Sequence, residues 1–66
     1  MRLIIIKHAQ QRMDLNGITE DQIKMVIQRG AKTVQTDGFL AVYTYIRVAY
    51  KIINDKHIIK TVMIEK

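Results

Sequence analysis

Residues 18–30, ITEDQIKMVIQRG, are the stretch that decides the fold of this 66-residue chain. Thr19 and Gln22 have the T-x-x-Q spacing of a capping box, which satisfies free N–H groups at the start of a helix. Ile18 and Ile23 are placed to form the hydrophobic staple that accompanies such a box. The stretch therefore predicts an amphipathic helix that ends at its glycine. Its buried face is predicted to carry Ile23, Val26, Ile27 and Gly30.

A shorter helix is predicted just before this stretch, over residues 8–16. Ala9 and Met13 are four residues apart and supply its apolar stripe, and Gly17 can adopt the left-handed conformation that ends a helix. No Ser, Thr, Asp or Asn directly precedes it, so it lacks an ordinary N-cap. Residues 3–6 form an apolar run of strand length, which predicts a short buried strand.

After the second helix, the spacing of apolar residues changes from the period of a helix to that of a strand. Asp37-Gly38 is a strong hairpin signal. The alternating run of residues 39–53 is too long for one strand, so a tight turn is expected near residues 44–46. A further turn is expected at residues 54–56. The predicted strands cover residues 32–36, the two parts of 39–53, and 57–64.

This order of elements predicts an α+β fold in a single domain spanning residues 1–66. A short N-terminal strand precedes two helices, and the helices pack on an antiparallel sheet of three to four strands. A domain of this size buries only about 60% of its unfolded surface, so it needs a dense core. Hydrophobic residues make up 48% of the chain, which meets that need.

The chain is basic, with 11 Lys and Arg against 6 Asp and Glu and a formal net charge of +5. This charge favours anionic partners, nucleic acid first, although it would also serve solubility alone. The absence of cysteine excludes disulfides, a thiol nucleophile and a zinc ribbon. No segment reaches the length of a membrane span, and the N-terminal apolar run is too short for a signal peptide. We therefore expect a soluble cytoplasmic protein that has no membrane partner.

His8 and Arg12 are the candidate catalytic residues. At a spacing of four they lie on one face of the first predicted helix. An imidazole can act as general acid or base near neutral pH, and a guanidinium can hold a phosphate bidentately. Together they could cleave RNA, one group moving the 2′-hydroxyl proton while the other stabilises the phosphorane. In the structural alternative, His8 caps the helix or bonds a strand while Arg12 packs along the sheet.

A candidate RNA-binding surface lies on the predicted sheet. Arg47 and Lys51 share a strand face and alternate with tyrosines, and charge beside aromatic rings suits the phosphates and bases of single-stranded RNA. The alternative is an ordinary solvated face that uses tyrosine as a strand former. Tyr50 is expected to face the core. The candidate RNA-binding residues are Arg47, Lys51, Tyr43, Tyr45 and Lys60.

No metal site and no cofactor is predicted. The two histidines, His8 and His57, are far apart in the sequence and carboxylates are sparse, so no metal-ligand spacing is present. His57 adjoins a predicted turn, where polar residues are common. The chain also lacks a Gly-rich phosphate loop and a nucleophile elbow.

The motif His8-Ala9-x-x-Arg12-Met13-x-x-x-Gly17-Ile18-Thr19, with Thr61-Val62 near the end, resembles the signature of a widespread family of small prokaryotic domains of unknown function. That signature reads H-A-x-x-R-M-x-x-R-G-I-[ST], with I-x-T-V near the end. The resemblance covers nearly the whole chain. Asn16 stands where the family often has arginine, and Ile6 stands where it often has serine or threonine.

These domains are similar to the RelE and BrnT toxins of the barnase–colicin–RelE-like group of compact ribonucleases. The resemblance implies two helices on an antiparallel sheet, an RNA substrate that could be messenger RNA on the ribosome, and an antitoxin protein as partner. We therefore expect a metal-independent, toxin-like ribonuclease in which His8 is the general acid or base and Arg12 the phosphate clamp. The alternative is a non-catalytic module that binds nucleic acid or a protein. An exposed sheet edge would also allow self-association into a homo-oligomer.

Overall fold

The computed structural model describes residues 1–65, which form two helices and five strands. The predicted α+β class and the predicted order of elements are confirmed. In chain order the elements are β1 (Arg2–Ile5), α1 (Lys7–Asn16), α2 (Glu20–Arg29), β2 (Ala31–Gln35), β3 (Gly38–Tyr43), β4 (Ile46–Ile53) and β5 (Lys56–Ile64).

The five strands form one sheet in the order β1-β5-β4-β3-β2. Strands β2 to β5 are antiparallel neighbours, which agrees with the predicted three to four antiparallel strands. Strand β1 adds a fifth strand, which runs parallel to β5 with Ile5 beside Ile59 and makes the sheet mixed. The predicted burial of the N-terminal strand is wrong because β1 lies at the edge of the sheet, where Ile4 is 37% exposed.

Both helices end where local signals place their ends. Thr19 and Gln22 form both halves of the capping box, with 2.8 Å from Thr19 N to Gln22 Oε1 and 3.2 Å from Gln22 N to Thr19 Oγ1. The first helix has Ile6 at its N-cap position, which offers no side-chain hydrogen bond. Its C-cap is Gly17, whose φ of 67° is left-handed, as predicted.

Tight turns connect the four antiparallel strands. The hairpin predicted at Asp37-Gly38 is present, with Thr36 and Asp37 as its loop residues. The turn predicted near residues 44–46 is formed by Thr44 and Tyr45, and it separates β3 from β4. A further predicted turn, at residues 54–55, joins β4 to β5.

The core lies between the two helices and one face of the sheet. Helix α1 packs against β5, and α2 packs against β3 and β4. Ala9 and Met13 are buried on α1, as their spacing predicts. On α2 the predicted residues Ile23, Val26 and Ile27 are buried in the same cluster. The buried strand residues of this cluster are Ala41, Ile46, Val48, Tyr50, Ile59 and Val62.

Candidate nucleic-acid interface

The face of the sheet that points away from both helices is the candidate interface, and we call it the open face. Successive side chains of a strand point to opposite faces. Residues that alternate with the buried strand residues therefore belong to the open face. On β1, β3, β4 and β5 their side chains are those of Arg2, Ile4, Leu40, Val42, Arg47, Ala49, Lys51, Ile53, Lys56, Ile58, Thr61 and Met63.

Cations are concentrated on the strands. Among the described residues, no Asp or Glu lies within a strand. The carboxylates instead lie on the helices, in turns and just after β5, so the body of the sheet carries positive charge alone. The cationic strand residues are Arg2, Lys32, Arg47, Lys51, Lys56 and Lys60.

A β-bulge adds Lys60 to the open face. Ala49 pairs with Thr61 and Tyr50 pairs with Ile59, so Lys60 is the extra residue of the bulged strand. The Lys60 ammonium lies 3.6 Å from Asp37 Oδ2, and the Lys51 ammonium lies 3.8 Å from the same oxygen. The bulge therefore brings two lysines from neighbouring strands to one turn.

Arg47 lies at the other end of β4 and also has a carboxylate partner. Its Nε donates to Glu65 Oε2 at 3.1 Å, and its Nη2 lies 3.0 Å from Glu65 Oε1. Both side chains are partly exposed, so this is a bidentate surface ion pair. The three central cations of the open face are thus each paired with a carboxylate that comes from outside the strands.

The structure separates Tyr43 from the basic residues. The sequence predicts Tyr43 and Arg47 on one surface of the sheet, and this placement is wrong because the turn at Thr44 and Tyr45 reverses the chain between them. Tyr43 is the cross-strand partner of Ile46 and packs against the core on the helix side. The same turn leaves Tyr45 at the end of the hairpin, where it is 51% exposed. Tyr50 is buried in the core, as predicted.

His8 lies at the border of the open face. It is an exposed residue in the first turn of α1, and its Nε2 is 3.2 Å from Thr61 Oγ1 on β5. Thr61 pairs with Ala49, which stands between Arg47 and Lys51 on β4. One imidazole nitrogen is thus held to the sheet, and the residue remains accessible to solvent.

Arg12 follows His8 by one turn of the same helix, as the spacing predicted. Arg12 is partly buried, and its carbonyl oxygen accepts a hydrogen bond of 2.9 Å from Asn16 Nδ2. Within residues 1–65, no hydrogen bond joins the side chains of His8 and Arg12. The helix therefore brings the two residues to one region without linking them directly.

Three residues that contact the candidate site are not among the predicted site residues. The sequence places Asp37 in a turn and Thr61 in the family motif, and it gives no signal for Glu65. A carboxylate at a hairpin turn whose neighbouring strand carries lysines is the pattern that could have pointed to Asp37. The contact of Thr61 with His8 depends on how α1 lies on β5, which no local pattern encodes.

His57 lies on the opposite face of the sheet from the basic residues. Its ring stacks on Tyr50 at a centroid distance of 5.6 Å, and Tyr50 stacks on Phe39 at 5.5 Å. His57 Nδ1 is buried and has no hydrogen-bond partner. His57 therefore belongs to an aromatic row on the helix side, away from His8.

Tyr50 makes the free energy of unfolding depend on pH in the alkaline range. Burial raises the pKa of its hydroxyl above the ordinary value of 10.0. The unfolded chain then loses the phenolic proton at a lower pH than the folded chain does. The contribution of Tyr50 to stability is therefore fully present below pH 10.0 and is lost as the pH rises through the higher folded value. We expect the free energy of unfolding, measured with urea, to fall less steeply above this pH in Tyr50→Phe than in wild type.

The control for this prediction is Tyr45→Phe, which removes an exposed hydroxyl and should keep the wild-type pH dependence. Wild type and the two variants share every ionisable group apart from Tyr45 and Tyr50, so the effects of the shared groups cancel in the comparison. Parallel pH profiles for wild type and Tyr50→Phe would contradict the prediction.

Neither described helix is long and apolar enough to cross a membrane. Within residues 1–65, no group of three or more His, Asp or Glu side chains is arranged to hold a metal ion.

Two helices on one side of a mixed sheet, with cations on the other side, define a small α+β domain with a basic sheet surface. The chain belongs to the family described as Domain of unknown function (DUF4258), whose match covers residues 5–64. The expected resemblance to a family of small domains of unknown function is thereby confirmed. The matched range includes both helices, strands β2 to β5 and the end of β1. Neither a curated protein nor a solved structure matches the chain.

Proposed function

We propose that this domain binds single-stranded RNA on its open face and cleaves it beside His8, as a toxin-like ribonuclease similar to RelE and BrnT. The observation that carries the proposal is the charge distribution of the sheet. Its strands bear cations and, among the described residues, no carboxylate. A surface of this kind attracts the phosphates of a nucleic acid without a need for base recognition.

The border position of His8 supports RNA rather than DNA as the substrate. Its exposed imidazole lies next to Thr61, whose neighbour Ala49 is flanked by two cations of the open face. A strand bound along Arg47 and Lys51 would pass Ala49, the cross-strand neighbour of the threonine that contacts this imidazole. A single histidine without a metal can take the proton of a 2′-hydroxyl, whose oxygen then attacks the adjacent phosphorus. The bond from phosphorus to the 5′-oxygen breaks, this oxygen takes a proton from the imidazolium or from water, and a 2′,3′-cyclic phosphate remains. Only RNA supplies the attacking hydroxyl.

Arg12 would serve as the phosphate clamp of this reaction. The attack of the 2′-oxygen on phosphorus forms a phosphorane with added negative charge, which a nearby guanidinium stabilises. Arg12 carries this guanidinium one turn of α1 after His8. In this proposal the protein partner is an antitoxin that covers the basic surface.

A second candidate function is non-catalytic RNA binding. The hydrogen bond between His8 Nε2 and Thr61 Oγ1 favours it, because this contact alone could serve to hold α1 against β5. The two functions share the open face and differ in whether the RNA is cleaved.

RNA binding is tested with the double variant Arg47→Gln/Lys51→Gln. We expect its affinity for a fluorescein-labelled oligouridine, measured by anisotropy, to fall about tenfold at low salt. The slope of log affinity against log salt should decrease by about 1.4, since each lost contact to a single-stranded phosphate contributes about 0.7.

The matched control is Lys24→Gln/Arg29→Gln, which removes the same charge from α2 on the other side of the molecule. This control should lose less than about threefold in affinity, the effect of net charge alone. Equal losses in the two double variants would contradict a binding site on the open face. Circular dichroism spectra would establish that all variants are folded.

A further inference from the structure

Two lysines of the open face surround a single anionic group of the chain itself. The Lys60 and Lys51 ammonium groups lie 3.6 Å and 3.8 Å from the same oxygen, Asp37 Oδ2. Lys60 also donates to the backbone carbonyl oxygen of Asp37. The two lysines come from adjacent strands, so the sheet itself brings their side chains together.

From this arrangement we infer that Lys51 and Lys60 form a phosphate-binding subsite, which Asp37 occupies in the free protein. The inference rests on the proposed RNA binding. It adds where one phosphate of the RNA binds and identifies Asp37 as the group that competes with this phosphate. A phosphodiester has one negative charge and two free oxygens, as a carboxylate does. It can therefore replace Asp37 between the two ammonium groups without changing the local charge balance.

The solvent exposure of Asp37 favours its replacement by a phosphate. The side chain of Asp37 is 71% exposed, whereas those of Lys51 and Lys60 are only 37% and 33% exposed. Ion pairs in contact with water are weak, so Asp37 can move away from the lysines at little cost. The lysine side chains are the less exposed partners, so we expect them to stay beside the turn as the anion changes. A shallow depression lined by residues 34–37 and Lys60 leaves room beside the pair.

Arg47 and Glu65 repeat this arrangement at the other end of β4. The guanidinium holds both carboxylate oxygens, the geometry in which arginine also binds a phosphate. Arg47 and Lys51 are four residues apart on one strand, which places them about 13 Å apart at about 3.3 Å per residue. That span corresponds to about four nucleotides of a stacked strand at about 3.4 Å each. In the free protein, Asp37 thus neutralises the lysine pair and Glu65 neutralises Arg47. A bound RNA strand that runs along β4 would displace both carboxylates.

The variant Asp37→Asn tests the inference, because asparagine suits a turn and removes only the charge. We expect Asp37→Asn to bind oligouridine about fivefold more tightly than wild type at low salt. The slope of log affinity against log salt should steepen by up to about 0.7, because no displaced carboxylate then remains near the phosphate to offset one lysine charge.

The control is Asp14→Asn on α1, which makes the same change in net charge. Gln10 Nε2 donates to Asp14 Oδ1 at 2.9 Å, and an asparagine oxygen can still accept that bond. We expect Asp14→Asn to gain less than about twofold in affinity. A second measurement uses inorganic phosphate, which should shift the amide NMR signals of residue 37 and of Lys60 at lower concentration in Asp37→Asn than in wild type.

The outcomes separate this inference from the proposed function. Equal affinities for Asp37→Asn and Asp14→Asn overturn the subsite and leave RNA binding intact. Weaker binding by Asp37→Asn also overturns it, because Asp37 would then organise the lysines rather than compete for them. If no variant binds RNA but inorganic phosphate shifts the two signals as expected, the proposed function fails and the subsite is supported. If neither RNA nor phosphate binds, both are overturned.

Discussion

Gly30→Ala is expected to destabilise the fold by about 3 kcal/mol or more, a large part of the stability of so small a domain. A methyl group at this position would lie 2.6 Å from the carbonyl oxygen of Val42 on β3 and closer still to that of Val26 on α2. Both obstacles are backbone atoms, so no side-chain rotation can relieve the overlap. The end of α2 would have to move away from the sheet against which it packs.

Gly17→Ala is the matched control, because Gly17 also ends a helix. A methyl group there meets no atom within 4 Å, but φ is 67°, a conformation that costs alanine about 1 kcal/mol. The midpoint of urea unfolding should therefore fall clearly more for Gly30→Ala than for Gly17→Ala. A smaller effect for Gly30→Ala would show that α2 and β3 can separate freely at this point.

Both helices could be predicted because their ends are encoded within a few residues. The Thr19–Gln22 capping box and the Gly17 C-cap each depend on neighbours less than five positions away. Alternation in β4 likewise predicted the burial of Tyr50 and the opposite orientation of Arg47 and Lys51. Patterns that involve only neighbouring residues can be recognised in a single sequence.

The pairing of β1 could not be predicted in this way. Arg2 lies beside Lys56, at opposite ends of the chain, and no local pattern connects them. The apolar run of residues 3–6 suggested a buried strand, since it has no polar residue to mark an outer face. Its position at the edge of the sheet, with Ile4 exposed, depends on which strand remains free to pair.

The candidate site depends on two breaks in alternation. The turn at Thr44 and Tyr45 returns the chain, so Tyr43 pairs with Ile46 on the core side instead of joining the open face. The bulge in β5 does the reverse, because it adds Lys60 to the open face. Each break decides which face the neighbouring side chains occupy. The length of the alternating run predicts a turn near residues 44–46 but not its exact residues, and the bulge has no sequence signal.

Under the proposed function, His8→Ala is expected to reduce RNA cleavage by about 10²- to 10⁴-fold, the usual contribution of a general acid or base. His8 is the exposed histidine of the chain, at the border of the open face. The measurement is single-turnover cleavage of an oligoribonucleotide in the presence of a metal chelator. Binding of a 2′-O-methyl oligonucleotide, which lacks the reacting hydroxyl, should change less than about threefold because His8 is not one of the cations that hold the strand.

His57→Phe is the control for the loss of a histidine. A phenylalanine ring keeps the stacking on Tyr50 and removes a buried nitrogen that has no partner. Cleavage by His57→Phe should match wild type, since His57 lies on the helix side of the sheet. Equal cleavage by wild type and His8→Ala would remove His8 from the mechanism. The hydrogen bond to Thr61 would then be a packing contact of α1, and the open face would serve as a binding surface without catalysis.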